Sequence, residues 1–365
     1  MKKWLKRVGA FAVTLIVLFA ATIILTEIDN QVLKKRVKKD ELETIKQGWP
    51  GNAIDGRDRF FDEQYPYMPS MLDVAKWKLS GNPFKEAKAS DTWKAEVRDP
   101  SEFLASDRNG IIWLGHASFY IRMDGISILT DPVFGDPSFL KRFVPVPPPL
   151  DQIRKVDYVL LSHDHRDHMD EATLRAIALK FPNATFLGGL RSEDVLNDWK
   201  TPANRVLTAG WFQKFANDDP GVNIFFLPVR HWSRRFLMDT NWRLWGSFII
   251  QVGGKTIYFG GDSGYSEHFS EAGELFPTID YFLVGIGAYE PNWFMKPNHA
   301  TPDEAVQAFV DAKARVMIPM HYGTFELSDE PPGEPLRRLK EAASAAGLES
   351  QVRPLAINEA LLIDE

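Results

Sequence analysis

The chain contains no cysteine among its 365 residues. Disulfide bonds and thiolate metal sites are therefore excluded, and any metal ion must be held by nitrogen and oxygen ligands. An excess of positive charge is also missing, since the formal net charge is −6. Residues 1–39 carry nine basic and two acidic side chains, which leaves −13 on residues 40–365. Because so acidic a body repels polyphosphate, we do not expect a nucleic acid as a partner.

One long uncharged apolar run extends from residue 8 to residue 26, after four basic side chains at positions 2, 3, 6 and 7. As a helix at about 1.5 Å per residue it would span roughly 28 Å, the thickness of a bilayer core. A cleaved signal peptide is the alternative, but Leu18-Phe19-Ala20 has a bulky residue where a cleavage site needs a small one. We therefore expect a basic tail over residues 1–7 and a transmembrane anchor over residues 8–26.

Basic residues also follow this run, at positions 34–36, 38 and 39, so the positive-inside rule is nearly balanced. The short charged tail favours a cytoplasmic N-terminus, which would place the body outside the cytoplasm if the host is bacterial. The basic segment after the span is suited to contact with anionic headgroups, so a membrane is an expected partner.

The remainder divides into two parts. Residues 27–108 show no sustained hydrophobic period and are expected to form a linker and an extended N-terminal arm. Residues 109–365 are expected to form one domain of short strands alternating with helices. The predicted strands are Ile111–Leu114, Ser118–Met123, Ile126–Thr130, Asp157–Leu161, Asn223–Leu227, Leu244–Gln251, Thr256–Phe259 and Tyr281–Val284, and the predicted helices are Glu171–Lys180 and Pro302–Ala312. Because the predicted strands fall into two groups along the chain, separated by helices, we expect two sheets packed face to face with helices outside.

The densest chemical signal is Ser162-His163-Asp164-His165-Arg166-Asp167-His168, directly after a strand-like run. Imidazole and carboxylate ligands at this density are typical of Zn²⁺ or a similar divalent ion. His163 and His165, two apart, can reach one ion, while Asp167 and His168 can hold a second about 3.5–4 Å away. A solvated histidine loop is the alternative.

Three more ligand-type residues, His231, Asp262 and His321, each follow an apolar run. Taken singly, each is more often structural. Taken with the histidine cluster, they complete two sets of metal ligands, with Asp262 placed to bridge the two ions.

The pattern His-x-His-x-Asp-His with these three residues resembles the metallo-β-lactamase superfamily. Further blocks are similar to the family of phospholipases D that hydrolyse N-acylphosphatidylethanolamine, over about residues 110–347. These blocks are Trp113–Ser118, Leu129–Phe134, Arg230–Trp232, Gly287–Lys296, His299 and Pro302–Val306. The resemblance implies an α/β fold, the αββα sandwich of this superfamily, with the metal ions at the sheet edge.

The resemblance also assigns roles to the site residues. It implies one Zn²⁺ on His163, His165 and His231, and a second on Asp167, His168 and His321, with Asp262 bridging. A hydroxide shared by the two ions would be the nucleophile, so Asp167 and Asp262 count as catalytic. His299 would contact the phosphate or protonate the leaving group. The sequence leaves open whether iron or manganese replaces zinc.

Several neighbouring side chains allow two interpretations. His116 is expected to be a core histidine, with a hydrogen bond beneath the metal ions as the alternative. Three arginines beside His231 either grip a phosphate or form a solvated face. Three apolar residues either receive acyl chains or belong to the core. The three arginines are Arg230, Arg234 and Arg235, and the three apolar residues are Trp293, Phe294 and Met295.

The leading hypothesis is a membrane-anchored, dizinc phosphodiesterase of phospholipase D type, with N-acylphosphatidylethanolamine or a related glycerophospholipid as substrate. A lactonase or a phosphodiesterase for small soluble esters is the first alternative. A non-catalytic, membrane-tethered metal-binding scaffold is the second, and the sequence leaves open whether the chain forms a homodimer.

Overall fold

The computed structural model describes residues 33–66, 69–137, 140–145, 150–236 and 238–363. The expected basic tail and transmembrane anchor, residues 1–7 and 8–26, lie outside these ranges. Within them, no helix combines the length and the apolar character that crossing a bilayer requires.

The described residues form sixteen strands and nine α-helices. The strands are β1 (Leu33–Val37), β2 (Asn52–Asp55), β3 (Phe60–Phe61), β4 (Gly110–Gly115), β5 (Ser118–Met123), β6 (Ile126–Thr130), β7 (Tyr158–Leu161), β8 (Thr185–Gly189), β9 (Arg205–Ala209), β10 (Gln213–Lys214), β11 (Asn223–Leu227), β12 (Ser247–Val252), β13 (Lys255–Phe259), β14 (Ile279–Gly285), β15 (Ala314–Met320) and β16 (Ala360–Leu362). The helices are α1 (Met71–Ser80), α2 (Lys85–Ser90), α3 (Ser101–Ala105), α4 (Glu171–Lys180), α5 (Ser192–Asp198), α6 (His268–Leu275), α7 (Asn292–Met295), α8 (Pro302–Asp311) and α9 (Glu334–Ala345).

Two large sheets form the centre of the molecule. One has seven strands in the order β16-β4-β5-β6-β7-β8-β9, and the other has six in the order β10 to β15. Alternate side chains of each strand point to opposite faces, as a period of two requires. In β4, Ile111 and Trp113 pack in the core shared with the six-stranded sheet. Ile112 and Leu114 pack in a second core on the other face.

Helices cover the outer faces of both sheets. Leu174 and Ile177 of α4 are buried in the second core, against the seven-stranded sheet. On the other side, α8 packs against α6, α9 and strands β14 and β15. The α8 N-terminus has a capping box, in which the Thr301 hydroxyl accepts from the Glu304 amide and the Glu304 carboxylate accepts from the Thr301 amide. The layer order is therefore helix, sheet, sheet, helix, as the sequence predicted.

Most of the predicted strands agree with the structure to within a residue or two at each end, and helix Glu171–Lys180 has the predicted bounds. Leu244–Gln251 was placed too early, because the observed strand is Ser247–Val252. Strands β8, β9 and β15 were not predicted. Strand β15 contains Pro319, a residue that argues against a strand in a sequence pattern. The proline is tolerated because β15 lies at the edge of its sheet.

The segment before residue 109 contains a three-stranded sheet, β1-β2-β3, and helices α1 to α3. Part of the basic segment forms the edge strand β1. Lys35 lies 2.9 Å from the Asp58 carboxylate, and Arg36 lies 2.6 Å from the Glu63 carboxylate. These two positive charges are therefore compensated within the protein.

Candidate metal centre

The candidate ligands come from loops that follow strands at one edge of the two central sheets. Strands β6 and β7 are parallel, as are β13, β14 and β15, so their carboxyl ends meet at the same edge. The loop after β7 supplies four ligand-type residues, and the loops after β11, β13 and β15 supply one each. In chain order these residues are His163, His165, Asp167, His168, His231, Asp262 and His321. The structure brings all seven together.

The first group is formed by His163, His165 and His231. The Nδ1 atom of His165 lies 2.8 Å from His163 Nε2 and 3.2 Å from His231 Nε2. Burial, together with neighbouring imidazoles, holds the pKa of His163 well below its usual range, and burial lowers that of His231 to about 4. Neutral imidazoles with converging nitrogens match a cation bound at about 2.0–2.1 Å from each. This group is the set predicted for the first ion.

The second group is formed by Asp167, His168 and His321, joined by His116. The Asp167 Oδ2 atom lies 3.6 Å from His168 Nε2 and 3.9 Å from His321 Nε2. The first three residues are the set predicted for the second ion.

Asp262 lies between the two groups. Its Oδ2 atom is 3.2 Å from His168 Nε2 and 3.0 Å from His321 Nε2, and 3.9 Å from His231 Nε2. Burial opposes ionisation of this carboxyl, but the imidazoles of His168 and His321 outweigh it and hold the Asp262 pKa well below its usual range. The carboxylate is thus placed to contact an ion in either group.

Several buried polar atoms at this point make no well-aligned hydrogen bond among the described residues, although two of them lie 3.0–3.2 Å from Asp262 Oδ2. They are His165 Nε2, His168 Nε2, both ring nitrogens of His321, and Asp262 Oδ1. Unsatisfied buried polar atoms are costly, and a divalent cation would satisfy several at once. The nitrogen and oxygen donors fit Zn²⁺ or another borderline divalent ion. The site therefore fits metal ions, while the ligand roles of individual residues stay predictions.

Asp131 is a site residue that the sequence analysis missed. It is fully buried, and its Oδ2 atom accepts hydrogen bonds from His168 Nδ1 at 2.7 Å and from the Ser162 hydroxyl at 2.5 Å. The Ser162 hydroxyl lies 2.9 Å from His163 Nδ1. These contacts direct the Nε2 atoms of both histidines toward the metal groups. The available signal was a carboxylate directly after strand Ile126–Thr130, the same signal that identified Asp262.

His116 corrects the expectation of an ordinary core histidine. It is buried in the turn between β4 and β5, and its Nε2 atom lies 3.0 Å from Asp167 Oδ2. Its ring centroid lies 4.1 Å from that of His321. The structure thus supports the alternative interpretation, a hydrogen bond beneath the metal ligands.

A cavity of about 380 Å³ opens over the ligands. His299 lines it with its side chain 16% exposed, and its Nδ1 atom lies 3.8 Å from Asp262 Oδ2. Burial holds the His299 pKa well below its usual range. Part of the cavity wall is apolar and comes from α1, α7 and two loops: Val74, Trp77, Leu140, Phe294, Met295 and Leu327.

The structure shows which of the arginines and apolar residues near the site line the cavity. Phe294 and Met295 line the cavity, whereas Trp293 does not and is 45% exposed. Arg234 and Arg235 line the cavity and Arg230 does not. Arg235 is buried and donates to the backbone carbonyl of Met169 at 2.6 Å, which makes it a support of the histidine loop.

Comparisons with known proteins show the family to which the chain belongs. Residues 127–322 match the family model of the β-lactamase superfamily domain. An uncharacterized protein of Mycobacterium tuberculosis is 36% identical over 248 residues, and the match covers 65% of this chain and 65% of that protein. The N-acyl-phosphatidylethanolamine-hydrolyzing phospholipase D 1 of Caenorhabditis elegans is 34% identical over 246 residues, covering 64% of this chain and 69% of that protein.

Among solved structures, the metallo hydrolase Igni18 of Ignicoccus hospitalis has a TM-score of 0.53 at 23% identity. The match covers 70% of this chain and 99% of Igni18, and it supports the fold. The chain therefore belongs to the metallo-β-lactamase superfamily, with N-acylphosphatidylethanolamine-hydrolysing phospholipases D among its relatives, and it carries the fold of metal-dependent hydrolases together with candidate groups of metal-binding side chains.

Proposed function

We propose that the protein is a dizinc phosphodiesterase of phospholipase D type that hydrolyses N-acylphosphatidylethanolamine or a related glycerophospholipid. The observation that carries this proposal is the meeting of two ligand groups at Asp262, beneath a cavity with a partly apolar wall. The name of the Caenorhabditis elegans relative supports the lipid class.

The ligand groups suit a hydrolytic site. Bound Zn²⁺ would supply Lewis acidity, which makes water nucleophilic at neutral pH and offsets negative charge on phosphoryl oxygens. His163, His165 and His231 would hold one ion, and Asp167, His168 and His321 the other, with Asp262 shared. Asp131 keeps the Nδ1 proton on His168, which leaves Nε2 free to bind metal.

The overall reaction adds one water molecule. The water oxygen bonds to phosphorus, the bond from phosphorus to the headgroup oxygen breaks, and the headgroup leaves as an alcohol that takes up a proton. The products are phosphatidate and an N-acylethanolamine. His299 faces the same cavity and is the protein group proposed to contact the phosphate or the leaving group.

The apolar wall is proposed to hold the acyl chains near the phosphate. Trp77 of α1 donates from Nε1 to Asp329 Oδ2 at 3.0 Å, and its ring centroid lies 5.3 Å from that of Phe294. These contacts fix one side of the apolar wall and would exclude water from chains lying along it.

The test is hydrolysis by the purified, zinc-loaded chain. N-acylphosphatidylethanolamine and short soluble phosphodiesters and lactones are supplied in parallel, and products are measured by mass spectrometry. We expect release of N-acylethanolamine, and an inactive, folded Asp262→Asn variant. Turnover of the soluble esters alone would replace the lipid assignment, and no turnover of any substrate would favour a non-catalytic scaffold.

We further propose that residues 8–26 anchor the enzyme in a membrane. The support is the length and the uncharged character of this run. Membrane fractions from cells that produce the full chain or a variant lacking residues 1–32 would be compared. We expect the full chain in the membrane fraction and the shortened chain outside it, and an equal distribution would contradict the anchor.

A further inference from the structure

The lining of the cavity above the metal ligands contains both acidic and basic side chains. Its acidic lining residues are Asp167 and Asp262, and both belong to the candidate metal groups. Its basic lining residues are Arg166, Arg234 and Arg235. Bound metal ions would compensate the two carboxylates. In a chain whose body carries a net charge of −13, this local excess of positive charge requires an explanation.

The three arginines are not equivalent. Arg235 is 9% exposed and is used to hold the backbone of the histidine loop. The guanidinium of Arg234 lies 4.9 Å from the centre of the Trp232 ring, which keeps it along the cavity wall. Arg166 is exposed, between His165 and Asp167 in the motif itself.

Arg166 has most of its donors available. Its hydrogen bond within the described residues is a long one, 3.4 Å from Nη2 to the Arg235 carbonyl, and no carboxylate in those ranges lies within 4.0 Å of it. A guanidinium has five N–H donors in a planar fork, which matches two oxygens of a carboxylate or a phosphate. A strongly hydrated lysine ammonium lacks this geometry.

We propose that Arg166 forms a second anion-binding subsite that recognises an acidic group on the headgroup of the substrate. This inference rests on the proposed function. The scissile phosphate would lie at the metal ligands and the acyl chains along the apolar wall from α1 and α7. The headgroup would then meet the remaining lining residues, to which Arg166 belongs. The preferred substrates are phosphodiesters whose headgroup carries a carboxylate or a second phosphate.

Two lipids that differ by one carboxylate provide the test. N-acylphosphatidylserine and N-acylphosphatidylethanolamine with identical acyl chains are hydrolysed in micelles of a neutral detergent, and kcat/KM is measured for each. A lipid with a phosphorylated headgroup forms a third arm that distinguishes phosphate from carboxylate. We expect the zinc-loaded protein to prefer an acidic headgroup by roughly 10- to 100-fold, the size of one or two charge-assisted hydrogen bonds.

Substitutions of Arg166 test whether the preference for acidic headgroups comes from this side chain. Arg166→Gln should lower kcat/KM for the acidic lipids to the level of N-acylphosphatidylethanolamine, while Arg166→Lys should keep part of the preference. Arg154→Gln, at an exposed arginine outside the cavity, controls for net charge and should leave the ratio unchanged. Metal content is measured for each variant, so that damage to the histidine loop is detected.

The outcomes separate the two proposals. Equal kcat/KM for all three lipids, or an equal loss for all three in Arg166→Gln, would overturn the subsite and leave the phosphodiesterase intact. Absence of turnover for every lipid would overturn the proposed function and the subsite with it.

Discussion

Replacing His116 by phenylalanine removes one hydrogen bond beneath the metal ligands and little else. The Nε2 atom of His116 lies 3.0 Å from Asp167 Oδ2, in a buried position. The ring also packs on His321, with centroids 4.1 Å apart, and on Phe325, with centroids 5.0 Å apart. Phenylalanine keeps these ring contacts and lacks a donor, so the two contributions are separated.

The expected magnitude follows from the role of this bond. The donor contacts Asp167 Oδ2, the same oxygen that lies 3.6 Å from His168 Nε2, and so holds the carboxylate in place beside the second ligand group. Removing such a partner of a metal ligand typically lowers affinity 10- to 100-fold, which corresponds to about 1.4 to 2.8 kcal/mol. The loss should fall on one of the two ions, because His163, His165 and His231 make no hydrogen bond to His116.

Metal affinity would be measured by competition with a chromophoric chelator, using wild type and the variants His116→Phe and His116→Gln. We expect two binding steps in the wild type, a weakened second step in His116→Phe, and partial recovery in His116→Gln, whose amide can donate. Thermal unfolding of the metal-free proteins controls for a general loss of stability. Unchanged affinity for both ions in His116→Phe would refute the positioning role.

Three further substitutions test other contacts. Arg243→Met should lower the free energy of unfolding by about 3–5 kcal/mol in urea, because the buried Asp164 carboxylate loses the guanidinium that lies 2.8 Å away. A loss below about 1 kcal/mol would show that this ion pair is not needed for stability. Trp77→Ala should raise KM for long-chain lipids and leave short soluble phosphodiesters unaffected, and Trp77→Phe should be milder; an equal effect on both substrates would contradict an acyl-chain role. Thr301→Ala should cost about 1 kcal/mol by removing the cap that accepts from the Glu304 amide, and Thr301→Ser should restore it.

The parts of the fold that were predictable have strong local signals. Strands such as Ser118–Met123 and Ile126–Thr130 are continuous β-type runs that end at turns, and both were placed with their observed bounds. The ligand loop was visible because three histidines and two carboxylates fall within seven residues. The other ligand-type residues also follow apolar runs that form strands. Searching for a histidine or carboxylate after such a run therefore found Asp262 and His321 as well.

The parts that were missed lack such signals. Strand Thr185–Gly189 ends in two glycines, which weaken a strand pattern although the residues are buried. Helix Met71–Ser80 has a mostly exposed surface and no clear apolar stripe. Its contribution to the cavity depends on the contact between Trp77 and Asp329, which are 252 residues apart. Contacts over such separations are set by the packed fold and not by local pattern.

The proposed function requires that seven side chains from four loops hold two metal ions. The most direct measurement is the metal content per chain of the purified protein, by inductively coupled plasma mass spectrometry, with zinc, iron and manganese quantified together. We predict two equivalents in the wild type and fewer than two in a folded Asp262→Asn variant. A folded wild-type protein that retains no metal, or one equivalent at saturating zinc, would contradict a two-ion site.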